Sequence, residues 1–282
     1  MAKKPRSAKR ESRQLRTNPI RVTLRGDPSA RQDGCYARDV GHCSSSLSGE
    51  HLFSAALLRK LCQDERGIFL RGFPWTPDGK WVRPETVVSR VLCTTHNNAL
   101  GPFDAFASAF DDELRRIAAS STVSTHIQFN GNNLERWMLK TLCALLASGS
   151  ARKQDATTLF SEIPEFWVDV LFGGSHLAPP LGLYVSGTIG EQWDISDRSI
   201  GMAPVSIGNR VVGLTLQMQW LQCTLMMTTW NGRPAGAINE QSIRRPAHLR
   251  VLRGAAQHTI QFMWDSGPGP GVEIMYTPGE GA

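Results

Sequence analysis

Apolar residues recur at helical spacing in the middle of the chain. One amphipathic helix is predicted from the apolar face Phe103, Phe106, Phe110, Leu114 and Ile117. A second is predicted from the face Leu134, Trp137, Met138, Leu142, Leu145 and Leu146. Asn132, with Glu135 three residues later, resembles a capping box at the start of this second helix. The stretch IPEFWVDVLFGG predicts a third, short helix that begins near Pro164 and stops at Gly173-Gly174.

Alternation of apolar and polar residues takes over from about residue 181. It predicts strands over residues 182–187, 211–220, 221–229, 249–252, 259–264 and 272–276. The apolar phase shifts by one between Trp220 and Leu221, which indicates a bulge or a tight turn. Residues 211–230 carry no charge, but their alternation and their three glutamines favour strands over a membrane span. We therefore predict an α+β fold with a helical middle and a mainly antiparallel C-terminal sheet.

The first part of the chain has weaker periodicity. Residues 51–62 predict a short helix, and residues 68–70 and 86–92 predict strands on either side of the turn-rich WTPDGKW. Residues 27–50 are rich in Gly, Ser, Asp and Arg, and we expect an irregular loop that a metal would order. The predicted division is a tail over 1–26, a metal-ordered module over 27–120, and a helical segment with a β-rich domain over 121–282.

The positive charge of the chain is concentrated at its N-terminus. The net charge is +6, and the first 25 residues carry nine Lys or Arg against the single acid Glu11. Such a segment buries little apolar surface, so we expect a disordered tail that is either solubilising or attracted to polyanions. No apolar segment follows the basic residues, so we expect no secretory signal and a cytoplasmic protein that does not enter a membrane. Its six cysteines then predict free thiols or metal ligands.

Two pairs of residues have the chemistry of a zinc site. Cys93 and His96 form a Cys-x-x-His knuckle, and Cys35 and Cys43 lie within the predicted loop, where His42 is a competing ligand. Zinc prefers thiolate and imidazole ligands in a tetrahedral arrangement, and two pairs from separate segments supply them. The alternative is that these are ordinary thiols and a surface histidine.

The dipeptide Glu50-His51 lies between the two pairs, at the mouth of the predicted helix. An adjacent carboxylate and imidazole can divide two tasks, since the carboxylate can hold a divalent cation while the imidazole takes a proton from water. Further along, Trp75 and Trp81 could stack on nucleic-acid bases or cover an apolar edge of the module.

The order Cys…Cys, Glu-His, Cys-x-x-His-Asn and Leu-Gly-x-x-Asp over residues 33–112 resembles the HNH endonuclease superfamily, in the HNH-like families with a C-x-x-[CH]-N second knuckle. The resemblance implies a treble-clef, or ββα-metal, core. It implies a structural zinc ion on the ligands Cys35, Cys43, Cys93 and His96. It further implies that Glu50 and Asn97 hold a catalytic Mg²⁺ or Mn²⁺, that His51 is the general base, and that Asp104 is a structural or metal-orienting acid. The part beyond residue 112 resembles uncharacterised bacterial proteins.

Two functions follow from the resemblance. The first is a zinc-containing endonuclease that hydrolyses phosphodiester bonds in nucleic acid with a divalent metal and His51 as general base. DNA is favoured over RNA as its substrate. The alternative is a non-catalytic zinc module that binds nucleic acid or a protein partner. Residues 52–92 contain no asparagine to orient the general base, which favours the alternative. The pair Glu50-His51 favours the endonuclease, because a purely structural module needs neither residue.

Overall fold

The computed structural model describes residues 17–62, 67–73, 75–151, 163–185, 191–192, 200–208, 210–229, 238 and 241–276. Most of the predicted tail therefore lies outside the described residues. The helices of the described part are α1 (Ala55–Leu61), α2 (Thr94–Ala119), α3 (Gly131–Ala147) and α4 (Glu165–Phe172). Its strands are β1 (Leu47–His51), β2 (Ile68–Leu70), β3 (Lys80–Val82), β4 (Val88–Cys93), β5 (Thr125–Asn130), β6 (Gly182–Val185), β7 (Glu191–Gln192), β8 (Ile200–Ile207), β9 (Arg210–Met218), β10 (Leu221–Met226), β11 (Ile243–Arg244), β12 (His248–Arg253), β13 (Ala256–Met263) and β14 (Val272–Tyr276). The α+β fold class is confirmed.

Strands β1 and β4 form an antiparallel pair that leads directly into α2. The expectation of an irregular loop over 27–50 is wrong at its end, because Glu50 and His51 belong to β1 and α1 starts only at Ala55. The sequence LSGEH has no apolar alternation, so β1 forms through its pairing with β4 rather than through local preference. The register shifts between Ser48 and Glu50, which marks a bulge in β1.

Helix α2 buries the whole predicted apolar face, so that prediction is confirmed. Its five members, Phe103, Phe106, Phe110, Leu114 and Ile117, are fully buried. The helix nevertheless begins at Thr94, well before this face, and contains Pro102. Proline removes a backbone donor from a helix interior. The helix continues through it because Leu100 and Phe103 on either side are both fully buried.

Helix α3 also buries its predicted face, but its cap differs from the prediction. The N-cap is Asn130, whose side chain accepts a hydrogen bond from the backbone N–H of Asn133 at 3.0 Å. The proposed capping box of Asn132 and Glu135 is therefore wrong. Glu135 instead accepts from the backbone N–H of Leu183 and from the guanidinium of Arg245. Such a long-range partner outcompetes the local one because Glu135 is buried and must be neutralised there.

The C-terminal part forms two five-stranded sheets rather than one. The first has the order β11-β6-β10-β9-β8 and is antiparallel throughout, as predicted. The shift at Trp220 and Leu221 is the tight turn between β9 and β10, where Leu221 pairs with Met218. The second sheet has the order β5-β13-β12-β14-β7, and only its β12–β13 pair is antiparallel.

One hydrophobic core runs through the described part, from the cysteine-bearing loop to the second sheet. The same cluster contains Cys35, Phe110, Trp137, Leu214 and Ile274. Helix α4 follows the prediction, with Pro164 as its N-cap and Gly173 in the left-handed conformation as its C-cap. The domain boundary at residue 120 stays a prediction. No helix of the described residues is long and apolar enough to cross a membrane.

Candidate metal centre and adjoining polar cluster

Cys35, Cys43, Cys93 and His96 meet in space. Their sulfur atoms and one ring nitrogen all lie within 4.8 Å of one another. The Nδ1 atom of His96 is 3.3 Å from the Sγ atoms of Cys35 and Cys93, and 3.7 Å from that of Cys43. Zinc bonds of ordinary length in a tetrahedral site separate a sulfur from a nitrogen by about 3.5 Å. The four residues could therefore hold a metal ion, and the arrangement is consistent with zinc.

The backbone positions these ligands from two directions. Cys93 ends β4 and His96 lies in the first turn of α2, so the strand-to-helix junction presents both side chains to the same point. The loop that carries Cys35 is fixed to β4 by the backbone hydrogen bond from Tyr36 N–H to Val91 O, at 2.9 Å. The competing ligand His42 is excluded, because its ring nitrogen contacts the carbonyl oxygen of Gly26 instead.

Burial changes the pKa values of the candidate ligands. The pKa of His96 is lowered to about 4, chiefly because burial disfavours the imidazolium, so its ring is neutral at pH 7 and can donate an electron pair. Burial also raises the pKa of Cys35 to about 12, so without a cation that thiol keeps its proton. A metal would supply the charge that converts it to thiolate, with release of a proton.

Beside the cluster, Glu50 is buried under α3 and contacts a lysine. Its side chain is 1% exposed, and its Oε1 lies 3.3 Å from the ammonium of Lys140, which is 4% exposed. The same ammonium donates to Oδ2 of Asp104 at 2.8 Å. Burial raises the pKa of Glu50 to about 7, against the opposing effect of Lys140. Lys140 therefore contacts both Glu50, which the resemblance assigns to the catalytic metal, and Asp104, which it assigns a structural or metal-orienting role.

His51 follows Glu50 on β1, and its ring is half-buried. Burial lowers its pKa, and the positive charge of Arg59 lowers it further, while Asp104 acts in the opposite direction. The imidazole is therefore largely neutral at pH 7, which is the form that accepts a proton. Its Nε2 atom is enclosed by protein and has no hydrogen-bond partner among the described residues.

Asn97 lies in the first turn of α2, where its amide donates to the hydroxyl of Ser48 at 2.8 Å. This hydrogen bond connects α2 to β1 beside the bulge. The amide of Asn97 and the carboxylate of Glu50 thus have different partners, Ser48 for one and Lys140 for the other. The structure brings the four sulfur and nitrogen ligands together, and it brings Glu50 to Asp104 through Lys140.

Sequence reasoning missed two residues of this polar cluster, Lys140 and Tyr36. Within the described part of the chain the enclosed Tyr36 hydroxyl has no hydrogen-bond partner, and burial, with the negative charge of Glu50, raises its pKa. The signal for Lys140 was its place within WMLKTLCALL, because a lysine on a buried helix needs an acidic partner. Its partners, however, could not be identified from spacing.

No family model, curated protein or solved structure matches the chain.

Proposed function

We propose that Cys35, Cys43, Cys93 and His96 hold a structural zinc ion in a treble-clef, ββα-type unit built from β1, β4 and α2. The distances among their ligand atoms fit a tetrahedral site, and all four ligand positions are filled by protein. A zinc site with four protein ligands has no open position for substrate, so this ion would stabilise the fold rather than act on a substrate.

We infer that the protein hydrolyses phosphodiester bonds in nucleic acid with His51 as general base. The observation that carries this proposal is that four side-chain atoms are enclosed and have no hydrogen-bond partner among the described residues: Tyr36 Oη, Glu50 Oε2, His51 Nε2 and Asp104 Oδ1. Buried polar atoms are nearly always satisfied, and the exceptions call for a water, an ion or a catalytic role. Burial raises the pKa of Glu50 to about 7 and lowers that of His51. Displaced pKa values of this kind are frequent among catalytic groups.

In the proposed reaction a water oxygen forms a bond to phosphorus as the bond from phosphorus to the leaving oxygen breaks. The neutral ring of His51 takes the proton of the attacking water, and the leaving oxygen receives a proton from solvent. Arg59 is exposed and its charge acts on His51, and in the proposal its guanidinium pairs with a phosphate oxygen. Asp104, which lowers the cost of the imidazolium that forms, stabilises the same step.

The Mg²⁺ or Mn²⁺ ion that the resemblance implies does not fit its assigned ligands in this arrangement. The carboxylate of Glu50 faces the ammonium of Lys140, and the amide of Asn97 donates to Ser48. A cation entering beside Glu50 would meet the positive charge of Lys140 at close range. We therefore assign no step of the reaction to such an ion.

The same contact favours the second candidate, a zinc module that binds nucleic acid without cutting it. Lys140 contacts the carboxylate of Glu50, which a catalytic cation would need, and also that of Asp104. A nuclease assay on DNA and RNA, with and without Mg²⁺, separates the two candidates. Cleavage that falls about 100-fold or more in His51→Ala, but not in the exposed control His126→Ala, supports the hydrolase. Nucleic-acid binding with no cleavage by any variant supports the second candidate. Cleavage that survives in His51→Ala contradicts the assignment of the base.

A further inference from the structure

Exposed apolar side chains concentrate on one insertion of the ββα unit. Among the described residues the exposed large hydrophobic side chains are Phe69, Trp75, Trp81, Val88, Val123 and Phe166. The first four fall within residues 69–88, between α1 and the end of β4. Phe69 is 53% exposed, Trp75 46% and Trp81 37%, so each ring leaves part of its surface to solvent. Exposed rings grouped in one segment are a candidate binding surface.

The backbone of the β2–β3 hairpin holds one ring pair toward solvent. Phe69 and Trp81 are directly opposite in the register, with ring centroids 5.5 Å apart. Alternation along β2 turns Ile68 to the other face, where it is buried. Gly79 allows the Phe69 ring to lie close over the backbone, since a Cβ there would come within 2.2 Å of that ring. The pair is thus fixed by the hairpin itself.

A second ring pair stands in the turn of the same insertion. Phe73 and Trp75 stack with centroids 5.3 Å apart and an interplanar angle of 28°. Phe73 also makes an edge-on contact with Phe53, at 5.8 Å. Phe53 lies two residues beyond His51, so this contact fixes the turn beside the strand end that carries the proposed general base.

The charge around these rings suits a polyanion. Residues 67–90 contain four basic and two acidic side chains. Arg71, Lys80 and Arg83 are exposed near the ring pairs, and Arg59 is exposed near His51. Aromatic faces interleaved with basic side chains are typical of surfaces that bind single-stranded nucleic acid, because bases stack on the rings while phosphates pair with the cations.

We propose that the ring pairs Phe69–Trp81 and Phe73–Trp75 form a platform on which unpaired bases of a nucleic acid stack. The inference deepens the proposed function and rests on it, because it names single-stranded segments as the substrate class delivered to His51. Bases within a duplex are stacked on their neighbours and offer no free face to a tryptophan, whereas single strands and frayed ends do. In this proposal the exposed cations beside the rings pair with the phosphates, and Arg59 does so near His51.

The test is fluorescence anisotropy of the full-length, zinc-loaded protein with labelled 20-nucleotide probes, dT and rU single strands and a mixed-sequence duplex. Trp75→Ala and Trp81→Ala are compared with Phe166→Ala, an exposed aromatic side chain on α4 that serves as the matched control. Single strands are expected to bind more tightly than the duplex. Each tryptophan variant is expected to weaken single-strand binding by about 5- to 100-fold, and Phe166→Ala is expected to leave it unchanged. Zinc content and circular dichroism confirm that each variant is folded.

Three results would overturn the proposal. The first is unchanged single-strand affinity in a double Trp75→Ala/Trp81→Ala variant that still binds zinc and nucleic acid, which would leave the proposed function intact. The second is tighter binding of the duplex than of either single strand. The third is a change of the tryptophan variants from dimer to monomer with no loss of probe affinity, which would make the patch an interface between copies of this chain. Absence of nucleic-acid binding by the unmodified protein would refute the platform and the proposed function together.

Discussion

The contact between Lys140 and Glu50 makes the sharpest prediction about the fold around the candidate site. Replacing Lys140 with Met keeps the length of the side chain and removes its charge. Glu50 then has no counter-ion, and it is 1% exposed. Removing one partner of a buried ion pair costs about 3–5 kcal/mol when the other partner stays charged. The cost depends on pH, because a buried carboxyl group can take a proton instead.

The pKa of Glu50 sets the size of that dependence. It is raised to about 7 from an ordinary value of 4.5, chiefly by burial, even with Lys140 present. At pH 8 the native carboxyl group is charged, so Lys140→Met is expected to lower the free energy of unfolding by about 3 kcal/mol. At pH 5.5 the carboxyl group of Glu50 is protonated in both proteins, and the loss is expected to fall to about 1 kcal/mol, since only the contact of Lys140 with the partly exposed Asp104 remains to be lost.

The assay is urea unfolding at both pH values with a fixed excess of zinc, which compares variants under the same metal loading. Glu50→Gln and the double variant Glu50→Gln/Lys140→Met complete a cycle whose coupling energy at pH 8 is expected to be about 2 kcal/mol. Lys60→Met is the control. Its ammonium lies 2.6 Å from Asp112 in a partly exposed pair and 3.8 Å from the buried Asp111. Asp111 keeps Arg115 as a partner at 2.8 Å, so the removal of Lys60 is expected to cost less than about 1 kcal/mol. Equal losses for Lys140→Met at the two pH values, or a coupling energy near zero, would refute the reasoning.

Three further predictions concern other parts of the molecule. Metal analysis of the purified protein is expected to find about one zinc ion per chain. Cys93→Ser is expected to reduce the zinc content and lower the melting temperature. A chain that is fully folded without metal would contradict both expectations. Because the pKa of Glu50 is raised on folding, the free energy of unfolding relative to Glu50→Gln is expected to fall by about 3 kcal/mol as the pH rises from 4.5 through 7. Urea unfolding of both proteins at a series of pH values measures this difference. An increase of the difference with pH would contradict the raised pKa. Arg245→Met is expected to cost about 3–5 kcal/mol in thermal or urea unfolding, because it leaves the buried carboxylate of Glu135 without its 2.8 Å partner; a loss below about 1 kcal/mol would contradict that.

The candidate site shows how far local signals reach. The residue types and the tight spacing of Cys93 and His96 predicted a zinc knuckle, and the structure places Cys35 and Cys43 with them. The grouping of these four residues is confirmed, because ligand chemistry limits the candidates to a few residues of the chain, and the zinc ion itself stays a prediction. Glu50 also stood out in the sequence, but its neighbours did not.

Two of the strands that were not predicted have partners far along the chain. Strand β1 has no apolar alternation and forms through its pairing with β4, so its own residues do not indicate it. Strand β5 forms as an edge of the second sheet, parallel to β13, and was missed although Ile127 and Phe129 alternate with polar residues. Strand β8 was also not predicted, and it pairs with its neighbour β9.

By itself, the sequence determined the apolar faces of the helices over 94–119 and 131–147 and the β9–β10 hairpin. It also determined the set of four candidate sulfur and nitrogen ligands. Periodicity and ligand chemistry are local properties, which is why they can be read from one chain. The tertiary structure alone decided that Lys140 would lie between Glu50 and Asp104. The reason is electrostatic, because burial makes an unpaired carboxylate costly and the packing of α3 brings the Lys140 ammonium within reach of both acids.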